Sequence, residues 1–183
     1  MDACSSVTAG PVRGALAIEE GRCAIGLASG VRQVSFRCAD WRMSGTRGRY
    51  ALDVSKTLMT VAVIEGALEL QRNGGGRLAL SEGQVLNYEF QTGRISRPDT
   101  RLDDLTAWRE GRAVFRGSRL DQAVAEMARY CDRPVRLLSP SLAGQRISGV
   151  FHTQDPIRFF KALTHLLPVR VSFDPGQIGI VKL

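Results

Sequence analysis

The chain has 183 residues, is 44% hydrophobic and 23% charged, and carries a formal charge of +7. That length allows one domain or two small ones, and the composition excludes a disordered, fibrous or collagen-like chain. No stretch reaches the roughly 18 uninterrupted apolar residues that cross a bilayer, and residues 1–15 lack the basic start and apolar run of an export signal.

Residues 12–108 read as a succession of short strands. Val31 to Phe36, Arg49 to Val54, Leu58 to Ile64, Ala67 to Gln71, Arg77 to Leu80 and Gln84 to Phe90 are aliphatic or β-branched and often alternate with polar residues. Glu20-Gly21, Glu65-Gly66 and Glu82-Gly83 mark corners at which glycine supplies a positive φ. Short strands with such corners suit a sandwich, a barrel or a solenoid-like stack, and the stack is preferred over the sandwich. Residues 92–107 are polar and contain Pro98, Asp99, Asp103 and Asp104, a linker-like shift that separates an all-β domain, 1–107, from a second domain, 108–183.

After Trp108 the pattern becomes α+β. Ser118 is expected to cap a helix whose apolar stripe is Leu120, Val124, Met127 and Cys131. Asp155-Pro156 opens a second helix, with Asp at the cap and Pro in the first turn. Asp174-Pro175-Gly176 then turns one strand into another. Val114-Phe115 recurs as Val150-Phe151, and Pro134-Val135-Arg136 as Pro168-Val169-Arg170. A strand, a helix and a strand therefore occur twice. Neither copy buries a helix face alone, so the two are expected to share one sheet in a duplicated βαβ unit with an extra C-terminal strand.

Residues 1–108 hold 13 Lys/Arg against 12 Asp/Glu, and residues 109–183 hold 12 against 6. The excess suits an acidic partner, a nucleic acid or an anionic membrane, although arginine-rich coding accounts for it equally well. No nucleophile elbow, phosphate loop or dinucleotide fingerprint is present, and His152 and His165 have no partner at metal-ligand spacing. The expectation is a non-enzyme without cofactor or metal. Cys4, Cys23, Cys38 and Cys131 form no C-x-x-C pair. A Cys23–Cys38 bridge stays open beside the preferred reading of buried thiols. A nucleic-acid surface would need exposed aromatics among the basic residues, and Phe115, Phe151 and Phe173 read better as core. Two binding classes stay open on these residues alone, a basic nucleic-acid-binding module and a self-associating scaffold.

Several stretches resemble FecR-like anti-sigma regulators. Ser44-Gly45-Thr46, Arg49 to Val54, Thr60 to Ala67, and Leu80, Gly83 and Gln84 follow that family's β pattern. Trp108, Gly111, Phe115, Leu120, Val124, Arg129 and Tyr130 follow the stretch after it, and Gly149, Phe151 and Asp155 a later one. Residues 109–183 also resemble the STN domain of secretins and TonB-dependent receptors. The resemblance implies a periplasmic module of an inner-membrane regulator that binds the N-terminal signalling domain of a TonB-dependent outer-membrane transducer, often one for iron-siderophores. It also implies that the sigma factor is held by a cytoplasmic segment which, like the membrane anchor, is absent from this chain. Partner binding is expected on the C-terminal domain through an edge strand, with Arg146, Arg158 and Arg170 meeting acidic residues.

Overall fold

Apolar–polar alternation turns much of the chain into strands, and the protein is β-rich with a few helices. A computed structural model describes residues 5–9, 16–27, 33–45 and 48–183. Cys4, Thr46 and the start of the expected Val31–Phe36 strand lie outside the described residues. The chain divides into two compact units, Met1–Leu102 and Asp103–Leu183, with the division inside the polar stretch 92–107. That placement changes the charge balance. Asp103 and Asp104 join the second unit, so the units hold 13 basic against 10 acidic residues (+3) and 12 against 8 (+4). The asymmetry read from a cut at residue 108 therefore largely disappears.

The first unit contains β1 (Ser5–Ala9), β2 (Leu16–Ala17), β3 (Gly21–Leu27), β4 (Val34–Cys38), β5 (Trp41–Gly45), β6 (Arg49–Val54), β7 (Leu58–Glu65), β8 (Ala67–Arg72), β9 (Arg77–Ser81), β10 (Val85–Glu89) and β11 (Ile95–Ser96). One sheet has the order β1-β3-β6-β7-β10-β11 and the other β2-β4-β5-β8-β9. Both line one core, with Ile25, Tyr50, Leu52 and Val61 from the first sheet and Phe36, Met43, Leu70 and Leu80 from the second. This is a sandwich, and it corrects the preference for a solenoid-like stack. A solenoid pairs successive coils in parallel, whereas among the described residues only β1–β3 and β2–β4 do so and every other described pair in the unit is antiparallel. Gly21, Gly66 and Gly83 take positive φ at the expected corners.

Cys23 and Cys38 come from facing sheets and are buried free thiols. Burial pushes both up to about 11. A thiol whose folded value lies above its unfolded one contributes stability below the unfolded value and loses it as pH rises through the folded one. Urea unfolding of the first unit should therefore show a midpoint that falls as pH rises from about 9 to about 11, and a Cys23→Ala, Cys38→Ala variant should show a shallower fall. Tyr50, also raised by desolvation, leaves a residual slope of the same sign.

The second unit begins within α1 (Leu102–Thr106). A 3-10 turn at Ala107–Glu110 follows, then β12 (Arg112–Arg119), α2 (Leu120–Ala128), β13 (Val135–Leu137), β14 (Arg146–His152), α3 (Pro156–Leu166), β15 (Val169–Asp174) and β16 (Gln177–Lys182). Ser118 does not cap α2. It is still in β12, opposite Ile147, and Arg119 is the extended residue at the helix start. The first helical N–H groups find partners elsewhere: Leu120 donates to the Gln145 carbonyl at 2.7 Å and Asp121 to that of Ala143 at 3.3 Å. At α3 the expected cap is present, with Asp155 accepting from the Arg158 N–H at 3.2 Å and Pro156 in the first turn.

The duplicated elements do not share one sheet. β12 and β14 pair antiparallel with Val114 opposite Val150, so repeat-equivalent residues meet across a local two-fold. β13 and β15 flank β16 in a separate three-stranded sheet. The extra strand is the reason: by inserting between the two repeat-equivalent strands, β16 takes the ladder of each. Leu120, Val124 and Met127 of α2 and Phe159, Phe160 and Leu163 of α3 form the core with Phe115, Ile147, Ile178 and Ile180.

Candidate interaction surfaces

The second unit offers sheet edges. β15 has one strand neighbour among the described residues, β16. The Leu183 N–H donates to the Pro168 carbonyl at 3.0 Å, which sets the phase of that ladder. Arg170 and Ser172 therefore aim their backbone groups at β16, while Val171 and Phe173 aim theirs away from it. An outward-facing row of N–H and C=O groups is a template for another strand. Phe173 stands at this edge and is 41% exposed. It is not the core residue that its apolar character suggested, because it sits next to the β15–β16 turn. Of the other two aromatics in that expectation, Phe115 is buried and Phe151 packs against the core.

Arg146, Arg158 and Arg170 lie on three different elements, β14, α3 and β15, and all three are exposed. Arg146 donates to the Gly117 carbonyl at 2.6 Å, beside the bulge of β12. Arg158 and Arg170 form no ion pair with a described residue, and no hydrogen bond joins any of the three to another. Arg170 shares β15 with the open edge. Other arginines of this unit are already engaged: Arg116 with Asp104, Arg119 with Asp121, Arg112 with Glu110 and Arg133 with Asp132. The cation supply open to a partner is thus smaller than the sequence count.

The outer face of β12–β14 carries Val114 opposite Val150 and Arg112 opposite His152, with Val150 57% exposed. Sequence reading assigned this repeated Val-Phe step no surface role. The alternation would have shown it: Phe115 faces the core, so Val114 must face out, and the same holds for Val150 beside Phe151.

Among the described residues no cluster of three His, Cys, Asp or Glu side chains is placed to hold a metal ion. No helix among them is long and apolar enough to cross a membrane. No family model matches the chain, and no curated protein matches it in sequence. Solved structures do. Two crystal structures of a candidate anti-sigma factor from Parabacteroides distasonis ATCC 8503 have TM-scores of 0.73 and 0.75 at 14% and 17% identity. Each match covers 91% of this chain and 80% of the other. At such identities the likeness is one of fold: the chain has an anti-sigma-factor-like fold.

Proposed function

We propose that this chain is the extracytoplasmic part of a FecR-like transmembrane anti-sigma regulator, and that it acts by binding rather than by catalysis. The observation that carries the reading is the anti-sigma-factor-like fold, which extends over both units. The second unit then serves as an STN-like receiver. Its partner is the N-terminal signalling domain of a TonB-dependent outer-membrane transducer, with iron-siderophore uptake as the regulated process. In this reading the module works in the periplasm, and the sigma factor is held by a cytoplasmic segment outside this chain.

The physical basis of reception is strand addition at β15. Main-chain hydrogen bonds from Val171 and Phe173 supply affinity, and the Phe173 ring supplies an apolar anchor. Arg158 and Arg170 steer an acidic partner and mainly raise the association rate. Signal passes by differential affinity of the partner for two states of the regulator.

The test is calorimetric titration of the chain with a purified signalling domain of a transducer encoded beside it. Val171→Pro removes an outward N–H without touching the β16 ladder and should weaken binding roughly tenfold or more. Reversal of Arg158 and Arg170 together should slow association at low salt, as read by stopped-flow mixing of the same pair. Wild-type affinity in the proline variant would exclude β15 as the docking edge, and salt-independent, unchanged rates in the reversal variant would exclude steering.

A further inference from the structure

The outer face of the five-stranded sheet departs from the charge pairing seen on the six-stranded sheet. On the six-stranded sheet arginines stand opposite carboxylates: Arg22 faces Asp53 across β3–β6 with a 2.7 Å contact, and Arg49 faces Glu65 across β6–β7 at 3.0 Å. On β4–β5, however, Arg37 stands directly opposite Arg42. Arg42 in turn faces Gln71 on β8, and Gln71 faces Arg77 on β9. One line across four strands thus reads Arg, Arg, Gln, Arg, and all four residues are exposed. Among the described residues no ion pair or hydrogen bond engages the three guanidinium groups. Like charges directly opposite on a sheet destabilise it, and violations of this kind concentrate where function compensates for them.

We infer that this row is a docking surface for an acidic, extended polypeptide segment of a protein partner, separate from the β15 edge. The residues around it favour a peptide over other anions. Arg42, Gln71 and Arg77 line a hollow of about 280 Å³ with Ser44 and Glu69. That volume lies just below the range of small-molecule pockets and fits side chains rather than a cofactor. Glu69 has no cation partner among the described residues. It repels a continuous polyanion such as a nucleic acid or an anionic bilayer, yet accepts a peptide N–H. The Gln71 amide, between two arginines, matches a peptide group as donor and acceptor. The paired positions of this face carry no aromatic ring, so bases have nothing to stack on. Adjacent strands are about 4.8 Å apart, so Arg37 and Arg42 can fork one carboxylate, while Arg77, about 10 Å from Arg42, takes a second.

The test uses the full chain and a short fluorescein-labelled peptide in which glutamates alternate with uncharged residues, followed by fluorescence anisotropy at low salt. The wild-type chain should bind it. Arg42→Glu with Arg77→Glu should weaken binding roughly tenfold or more. Arg97→Glu with Arg101→Glu, which changes net charge equally at two exposed residues of the polar stretch 92–107, should leave it within about twofold. Folding is not at risk, because Arg42→Glu puts opposite charges across β4–β5, and that variant should melt at or above the wild-type temperature. Three results would overturn the inference. They are absence of wild-type binding, equal loss in both double variants, and tighter Arg42- and Arg77-dependent binding to phosphatidylglycerol vesicles or a single-stranded oligonucleotide than to the peptide.

Discussion

Phe159→Ala should destabilise the second unit by about 4 kcal/mol, because it empties the centre of that unit's core. Phe159 is fully buried. Its ring lies 4.9 Å from Phe151 at 88°, 5.0 Å from Phe160 at 80° and 5.7 Å from Phe115. Edge-to-face contacts of this kind add to area burial. These rings come from β12, β14 and α3, so truncation loosens both halves of the repeat together. A domain of this size is stable by roughly 4–12 kcal/mol, so the loss is a large part of the total. Trp41 lies in the first unit and Trp108 in the second, which separates the readouts. In a Trp41→Phe background, Trp108 fluorescence should report a much lower urea midpoint for Phe159→Ala. Phe173→Ala, at an exposed edge position, should cost less than about 1 kcal/mol in the same background. Equal losses at the two positions would mean that Phe159 is not the core centre.

Gly48→Ala should cost the first unit about 3 kcal/mol, as overpacking against atoms that cannot yield. A Cβ at Gly48 would meet the Glu65 backbone carbonyl and lie 2.7 Å from the Tyr50 hydroxyl. A Cβ at Gly45 would lie 2.6 Å from Cζ of the same ring. Tyr50 is fully buried and donates to the Ala67 carbonyl at 2.9 Å. The two glycines therefore form a seat for a tyrosine that ties β6 to the start of β8. The carbonyl is backbone at the end of β7, where Glu65 pairs with Arg49 beside a register shift, so it moves only if the strand end moves with it. Gly26→Ala is the control. Its added Cβ meets nothing within 4 Å, and the unfolded chain loses freedom, so the change should be neutral or slightly stabilising. In a Trp108→Phe background, Trp41 fluorescence in urea should resolve the two. A neutral Gly48→Ala would show that the loop relaxes and that the seat is not rigid.

The Ser44-Gly45-Thr46 stretch entered the sequence reading as part of a family pattern. The Tyr50 seat supplies its physical reason at Gly45, and spacing alone could not have found it. The ring and the glycines meet only after β5 and β6 have joined opposite sheets.

The sequence by itself determined the elements of local origin. Alternation placed β6 at Arg49–Val54, the glycine corners took positive φ, and Asp155-Pro156 started α3. It also revealed the repeat, because each copy writes its own strand and helix. These features depend on neighbours within a few residues, and that information is present in the chain order. Tertiary structure decided the rest. Sandwich or solenoid depended on which distant strands pair. Two sheets rather than one in the second unit depended on β16 entering between β13 and β15. The helix start at Leu120 depended on carbonyls of Ala143 and Gln145. The Arg37–Arg42–Arg77 row exists only through strand register, since Arg77 lies far from the other two in the sequence. Each of these outcomes is a contact between segments far apart in the chain, and long-range pairing is selected by burial and register, which local composition does not encode.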